Sequence, residues 1–230
     1  MPLDNAPSLI TAHEGTIMSS GFNDTWYWNF QSLFSHEQIA RIIEICSAGK
    51  ETDATLNAFS SENSYDERVR KNKVSWQNNE ELYSMVREPM NLANSMSGWN
   101  CDITAIEPIQ YTIYYCDNNH YSWHTDTLEK DHLTDRGSDD IKNGTVRKIS
   151  CSVQLDSADS YEGGEFEFMT STESDDGEVG TFSTSSLTVD GLREKGSAIF
   201  FPSPTFHRVK PVTKGTRRSL VVWFRGPKWR

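Results

Sequence analysis

Apolar positions along this chain change from helical spacing in the first hundred residues to alternation in the remainder. A first helix is indicated by apolar residues three and four positions apart: Ile39, Ile42, Ile43 and Cys46. Ser35 and Gln38 form a capping box in front of this run, and Gly49 predicts its end. Such a one-sided apolar stripe predicts a helix that packs on a sheet.

A second helix is predicted from about Glu80 to Asn94, with a kink at Pro89. Its apolar stripe is expected to comprise Leu82, Met85, Val86 and Leu92. Residues 26–30 alternate with aromatic side chains and predict a strand ahead of both helices. Residues 1–25 and 50–66 show no periodicity, so we expect loops there.

From Ile103 onward, about eight strands are predicted, ending near Trp223. One long strand is expected from Ile103 to Tyr115, with Pro108 restricting part of it to an edge or bend. Residues 207–220 read as two strands joined by a turn at Lys214-Gly215. Residues 171–186 are rich in Ser, Thr and acidic side chains and predict a surface loop or hairpin insertion. The pattern therefore indicates a mostly β (α+β) fold with an N-terminal helical layer.

Composition is that of one folded domain. The chain has 230 residues, 36% of them hydrophobic and 11% aromatic. A net charge of −11 disfavours a nucleic-acid backbone as partner and with it nucleic-acid repair. Neither a membrane-spanning apolar run nor a secretory signal is visible, so we expect no membrane partner and a cytoplasmic location. The four cysteines show no paired spacing and are expected to be free thiols.

Three residues could bind a metal ion: His124 and Asp126, separated only by Thr125, and the distant His207. On a strand, residues two apart point to the same side, so His124 and Asp126 can bind one ion together. Two imidazoles and one carboxylate occupy one face of an octahedral ion and leave the other face open, as in non-haem Fe(II) oxygenases. We call His124, Asp126 and His207 the facial triad. A lone His is otherwise more often a packing residue than a ligand.

A candidate anion site lies ten residues beyond His207. By alternation, four residues of the predicted final strand share one face: Arg217, Ser219, Val221 and Trp223. An Arg offers a permanently charged fork of donors and a Ser two positions on adds another, which suits a terminal carboxylate. Arg218 falls on the opposite face and is the less favoured candidate.

These motifs together resemble the Fe(II)- and 2-oxoglutarate-dependent dioxygenases, and most closely the prolyl 4-hydroxylase-like group. The resemblance rests on His124-x-Asp126, His207 and Arg217-x-Ser219, in that order. Other segments match that family in the same order, over about residues 105–226: Tyr115 and Tyr121 before the first His, residues 147–155, residues 161–166 with Gly-Gly-Glu, and residues 197–202. Gln154 departs from relatives that carry an aromatic hydroxyl at this place.

The resemblance implies a double-stranded β-helix (jelly roll) with the N-terminal helices packed on one sheet. Residues 1–230 would form a single domain, with a helical flank at 1–100 and the dioxygenase core at 101–226. It also implies that residues 128–146 form a lid over the substrate, an ordinary surface loop being the alternative.

The resemblance further implies that the facial triad binds Fe(II) and is catalytic. 2-Oxoglutarate would be the co-substrate, its distal carboxylate bound by Arg217 with help from Ser219 and Tyr115. O2 would be consumed, succinate and CO2 released, and ascorbate used as a reductant. Arg147 and Trp223 would contact the substrate, although a solvated strand-end charge is an equally good interpretation of Arg147.

The substrate implied is a proline-containing peptide or protein. The same chemistry on another amino-acid side chain or on a small metabolite is the alternative. A hypothesis of a different class is a non-catalytic jelly-roll binding module. The intact facial triad together with Arg217 argues against that module, because a silent relative has no physical need to keep both.

Overall fold

The two predicted helices form and pack against the same sheet. A computed structural model describes residues 12–16, 25–54, 66–127, 144–173 and 182–228. Helix α1 covers His36–Ser47, and its capping box forms as predicted, with the Gln38 amide donating to Ser35 Oγ at 3.3 Å. Helix α2 covers Glu80–Met96, begins at the cap Asn79 and continues through Pro89.

The buried side of α2 differs in part from the predicted stripe. Leu82 and Val86 are buried as expected, together with Met90 and Ala93. Leu92, however, is 39% exposed, so its place in the stripe was wrong. The helix turns by 100° per residue, and this rotation carries Leu92 past the edge of the face that contacts the sheet.

Two strands precede the helices. β1 covers Ala12–Thr16 and pairs antiparallel with β2, Thr25–Phe30. The predicted aromatic strand is therefore confirmed, whereas the loop expected over residues 1–25 was wrong for Ala12–Thr16. Backbone pairing with β2 supplies the hydrogen bonds that the local sequence pattern did not reveal.

The other strands among the described residues are β3 Thr52–Asp53, β4 Arg70–Lys71, β5 Lys73–Gln77, β6 Ala105–Ile106, β7 Ile109–Tyr115, β8 Asn119–His124, β9 Thr145–Gln154, β10 Tyr161–Gly163, β11 Phe166–Glu173, β12 Phe182–Thr188, β13 Ala198–Pro202 and β14 His207–Pro227. A short 3-10 helix, Asp190–Arg193, precedes β13. β11 and β12 pair with each other from Glu167 and Thr188 to Glu173 and Phe182, which confirms the hairpin alternative at its two strands; residues 174–181 between them lie outside the described part. The expected loop at 50–66 contains the short β3, and residues 55–65 lie outside the described part.

The single strand expected from Ile103 to Tyr115 was wrong. It is divided into β6 and β7, and the break falls at Glu107-Pro108. Proline has no backbone N–H to contribute to a ladder, so pairing stops there. Both pieces still pair with β14: β7 with residues 216–221 and β6 with Phe224 and Arg225, further along the same strand.

The turn expected at Lys214-Gly215 was also wrong, because β14 runs through it without a break. Gly215 has a φ of +70°, and a Cβ there would lie 2.2 Å from the carbonyl oxygen of Ser160. Before Gly215 the strand pairs with β8 and β11; after it, the strand pairs with β7 and β9. The glycine therefore bends one strand from one sheet into another instead of closing a hairpin.

Two antiparallel sheets thus share β14. The larger sheet has the order β1-β2-β13-β9-β14-β7-β5-β3, and the smaller one joins the first half of β14 to β8, β10 and β11. One apolar core lies between the larger sheet and the helices, and includes Leu82, Cys151 and Val222. A second core lies between the two sheets, and includes Phe166 and Phe201. The prediction of a mostly β fold with helices on one sheet is confirmed.

The face of the larger sheet that turns away from the helices is polar where β7, β9 and β14 run side by side. Residues that alternate with the helix-facing ones are buried there: Gln110, Thr112, Ser150, Ser152, Gln154, Arg217 and Ser219. Burying polar groups costs free energy unless they are paired, so this cluster marks a site.

In the part of the chain that is described, no helix has the length and hydropathy to cross a membrane, and all four cysteines are free thiols.

Candidate active site

The facial triad is brought together by the pairing of β8 with β14. His124 ends β8, His207 begins β14, and the two are direct cross-strand partners. Asp126 lies between them, with one carboxylate oxygen 3.8 Å from His124 Nε2 and the other 3.6 Å from His207 Nε2. Three candidate ligand atoms, one from each residue, lie within 4.8 Å of one another. The spacing predicted from the sequence therefore produces one compact cluster.

Both imidazoles are oriented by backbone carbonyls. His124 Nδ1 lies 2.8 Å from the carbonyl oxygen of Ser122, and His207 Nδ1 lies 2.9 Å from that of Thr205. A carbonyl can only accept, so each Nδ1 carries the proton and each Nε2 presents a lone pair to the centre of the cluster. This is the tautomer that a metal ion requires.

The electrostatics of the cluster favour an unprotonated His124 and an ionised Asp126. Burial, followed by repulsion from His207, lowers the pKa of His124 to about 3, although Asp126 acts in the opposite direction. Burial acts to raise the pKa of Asp126, but the neighbouring imidazoles and Arg147 outweigh it and lower this pKa. Asp126 Oδ2 is buried and has no hydrogen-bond partner. A buried charge is normally paired or bound to metal, so the donor set fits a divalent cation.

Asp126 is held by its own surroundings as well. Its amide donates to the carbonyl of Ser203 at 3.0 Å, and its carbonyl accepts from Arg147 Nη1 at 3.2 Å. Asp126 is therefore held through both polar groups of its backbone.

Aromatic rings limit the motion of the imidazoles. The Tyr121 ring stacks on His124 with centroids 3.4 Å apart, and the guanidinium of Arg70 covers the same Tyr121 ring at 4.4 Å. Phe166 stacks on His207 with centroids 5.4 Å apart. These contacts hold the planes of the two imidazole rings in place.

Arg217 is the second polar feature of the interior. Only 2% of the residue is exposed, yet its Nε and Nη1 have no hydrogen-bond partner. Ser219 is buried on the same face of β14, as the alternation predicts. Arg218 instead points the other way and forms an ion pair with Asp156. A buried guanidinium with open donors is a site for a carboxylate, and Arg217 is the arginine that offers it.

Tyr115 is not brought to Arg217, and its predicted contact with the co-substrate does not fit the structure. The residue is 39% exposed and its hydroxyl donates to Glu51 at 3.2 Å. Because neighbours on a strand point to opposite faces, Tyr114 is the tyrosine on the interior side. Tyr114 is buried, and Arg217 lies over its ring at 5.4 Å from the centroid.

Gln154 and Gly164 complete the surroundings of Arg217. Gln154 is the cross-strand partner of Ser219 and donates to the Tyr161 hydroxyl at 3.1 Å, while its Oε1 is buried without a partner. Gly164 has a φ of +65°, and a Cβ there would lie 2.8 Å from Arg217 Cδ. The Gly-Gly-Glu turn thus leaves room for the arginine that a larger residue would displace.

Arg147 is a buried, paired residue, so the alternative of a solvated strand-end charge was wrong. It is bound to Glu107 through two hydrogen bonds and lies 3.9 Å above the ring of Trp223. Trp223 is buried, and its Nε1 has no partner. Trp76, which is 53% exposed, lies beside it with ring centroids 6.0 Å apart. We call Trp76 and Trp223 the tryptophan pair; it connects the buried site to the surface.

Three of these residues were missed by the sequence analysis: Glu107, Tyr114 and Trp76. Glu107 falls in an irregular stretch and Trp76 in a short strand, so neither has a local pattern that marks a site. Residues 128–143 of the predicted lid lie outside the described residues.

The fold and the two polar centres define a class: a jelly-roll protein with a His-Asp-His cluster and a buried arginine whose Nε and Nη1 have no hydrogen-bond partner. Sequence comparison assigns the chain to a family within that class. Residues 109–225 match the 2OG-Fe(II) oxygenase superfamily, and the chain belongs to it.

The chain resembles three curated proteins of this kind over part of its length. It is 35% identical over 112 residues to a PKHD-type hydroxylase of Azoarcus sp. (strain BH72), covering 48% of this chain and 39% of that protein. It is 31% identical over 116 residues to a PKHD-type hydroxylase of Verminephrobacter eiseniae (strain EF01-2), covering 50% and 42%. A PKHD-type hydroxylase of Colwellia psychrerythraea (strain 34H / ATCC BAA-681) is 34% identical over 83 residues, covering 35% and 31%. The chain thus spans less than half of these relatives.

Solved structures with the same fold confirm the predicted jelly roll. A prolyl hydroxylase from Trichoplax adhaerens, in complex with a hypoxia inducible factor peptide fragment, superposes with a TM-score of 0.62 at 16% identity over 86% of this chain and 82% of that one. The viral collagen prolyl hydroxylase of Paramecium Bursaria Chlorella virus-1 gives a TM-score of 0.57 at 17% identity, over 90% and 99%. A Pseudomonas putida prolyl-4-hydroxylase gives 0.56 at 17% identity, over 88% and 93%.

Proposed function

We propose that this protein is an Fe(II)- and 2-oxoglutarate-dependent dioxygenase that hydroxylates prolyl residues of a peptide or protein, releasing succinate and CO2. One observation carries the proposal: a buried arginine with two nitrogens that lack a hydrogen-bond partner shares an interior with the facial triad. A metal ion needs only the triad, whereas a keto-acid co-substrate needs an anion site as well. The chain provides both.

The residues divide into two roles. The facial triad would hold Fe(II) through two neutral imidazoles and an ionised carboxylate. Arg217 and Ser219 would bind the distal carboxylate of 2-oxoglutarate, with Tyr114 taking the place first expected for Tyr115. When bound, iron and 2-oxoglutarate supply the O2-dependent oxidation of a C–H bond, and ascorbate serves as reductant. The protein's own contribution is to orient these groups and to keep water from the interior.

A peptide substrate is supported by the surface near the site. The tryptophan pair extends from the buried Trp223 to the exposed Trp76, so an aromatic surface leads from the site to the outside of the protein. Aromatic faces bind apolar rings such as that of proline at little entropic cost. The three solved structures described above are prolyl hydroxylases, and one of them contains a peptide, which supports the same substrate class.

The test measures succinate release and peptide oxidation together. The purified chain is incubated with Fe(II), 2-oxoglutarate, ascorbate and air, with a proline-rich peptide or the same peptide carrying Ala for Pro. We expect succinate and a gain of one oxygen atom by mass spectrometry with the first peptide alone. Equal succinate with both peptides and no peptide oxidation would indicate another substrate.

The His124→Ala variant distinguishes a dioxygenase from a non-catalytic binding module. Succinate release that disappears in this variant is expected of the enzyme. If the wild-type protein releases no more succinate than His124→Ala, the dioxygenase proposal is wrong.

A further inference from the structure

Glu107 is a buried carboxylate bound by two buried arginines. It follows β6 and is 4% exposed. Its two oxygens accept from Arg147 Nε at 2.9 Å and Nη2 at 2.6 Å, and Oε1 also accepts from Arg225 Nη1 at 2.6 Å. Arg225 is itself fully buried. Burying charged groups costs free energy unless they are paired. The two arginines therefore depend on the Glu107 carboxylate, because removing it would leave two buried cations without a counter-charge.

Arg147 carries this interaction to the metal site. Its remaining terminal nitrogen, Nη1, donates to the carbonyl oxygen of Asp126 at 3.2 Å. The pairing of β9 with β14 contains a bulge: Phe224 is opposite Ile149 and the next residue, Arg225, is opposite Arg147, so the register passes over Lys148 of β9. Bulges turn side chains to the other face of a strand, and this one directs Arg147 inward over Trp223.

Arg225 extends the same network to the start of β9. It donates to the carbonyl oxygen of Thr145 at 2.6 Å and to the Thr145 hydroxyl at 3.0 Å. Glu107 therefore connects three places that are distant in sequence: the metal ligand Asp126, the first residue of β9 and the end of β14. We call Glu107, Arg147 and Arg225 the Glu107 clamp.

We propose that Glu107 is a positioning residue for the metal ligand Asp126, acting through Arg147. It fixes the guanidinium that holds the Asp126 carbonyl, and so sets the direction in which the Asp126 carboxylate faces the two imidazoles. This inference rests on the proposed function, since it assumes that the facial triad binds a metal ion. Supporting residues of this kind change metal affinity about 10- to 100-fold when altered.

The test titrates Co(II), an Fe(II) substitute with visible absorption bands, into the apo proteins. We expect Glu107→Gln to bind Co(II) about 10- to 100-fold more weakly than wild type, with altered bands. Glu107→Asp keeps the charge on a shorter side chain, so its Co(II) affinity should lie between those of wild type and Glu107→Gln. It replaces Glu107→Gln in the test if that variant does not fold. Thermal unfolding checks that each apo variant is folded.

The matched control is Asp156→Asn. Asp156 is also a buried carboxylate bound to an arginine, Arg218, but it has no contact with a triad residue among the bonds of the described chain. It should lose thermal stability and still bind Co(II) as wild type does. Glu107 variants that match this control in affinity and spectrum overturn the inference. Wild-type protein that binds no Co(II) refutes the proposed function instead, so the two failures are distinguishable.

Discussion

Gly164 and Arg217 are in such close contact that a single added methyl group would separate them. The Cβ of an alanine at position 164 would lie 2.8 Å from Arg217 Cδ, closer than carbon atoms pack. The Nε and Nη1 of Arg217 have no hydrogen-bond partner, so its position depends on packing contacts such as this one. The lack of a side chain at Gly164 therefore helps to set where the guanidinium lies.

Replacing Gly164 by Ala should weaken 2-oxoglutarate binding by about tenfold, or about 1.4 kcal/mol, because Arg217 must shift from its seat. The dissociation constant of 2-oxoglutarate is measured by calorimetry on the Co(II) protein. Gly144→Ala is the matched control: Gly144 has a φ of +71° but nothing within 4 Å of its Cβ position. Equal weakening in both variants would assign the effect to backbone strain and not to Arg217.

Arg217→Ala should raise the 2-oxoglutarate concentration needed for half-maximal succinate release at least about 100-fold, since a buried ionic hydrogen-bond pair is lost. Arg218→Ala should leave that requirement unchanged and lower thermal stability, because Arg218 is bound to Asp156. An unchanged requirement in Arg217→Ala would transfer the role to Arg218.

Trp76→Ala should raise the KM for a proline-rich peptide about 5- to 10-fold, the equivalent of about 1 kcal/mol of lost aromatic contact. The 2-oxoglutarate requirement should not change, because Trp76 is at the surface, beside Trp223. Tyr115→Ala is the control, an exposed aromatic on the other face of the sheet. A peptide KM that rises in the control and not in Trp76→Ala would place the peptide elsewhere.

The Glu107 clamp should also make stability depend on acid pH. Burial acts to raise the pKa of Glu107, but Arg147 and Arg225 outweigh it and place this pKa below its ordinary value of 4.5. A group with a lowered folded-state pKa stabilises the fold above its unfolded pKa and loses that contribution as pH falls through the folded one. We expect wild type to exceed Glu107→Gln by about 3 kcal/mol in free energy of unfolding near neutral pH.

That difference should shrink only below about pH 4.5. Urea unfolding of both proteins from about pH 3 to about pH 7 measures this difference in the free energy of unfolding. A difference that stays constant down to the lowest pH would show that the Glu107 charge does not contribute to stability.

Local sequence patterns predicted the structural features that depend on residues close together in the chain. The capping box of α1 formed because both its partners are three residues apart, and the facial triad was recognisable because His124-x-Asp126 is a strand spacing. The predicted turn at Gly215 was wrong for the complementary reason. A glycine with positive φ can close a hairpin or bend a strand between sheets, and only the partners of each half decide which occurs.

The choice between Tyr114 and Tyr115 shows the same division. Alternation states that the two tyrosines face opposite ways, yet it does not say which way is inward, because that depends on where the helices pack. Glu107 had no sequence signal at all, since its two arginines are 40 and 118 residues away.

By itself, the sequence pattern determined the strand-rich fold with its helical layer, and residue type and spacing marked the three triad residues and Arg217 as candidates. The tertiary structure alone decided that Arg217 is buried with open donors, that Tyr114 is the inward tyrosine, and that Glu107 is connected to Asp126. Those relations depend on distances between segments far apart in the chain, and long-range packing sets such distances.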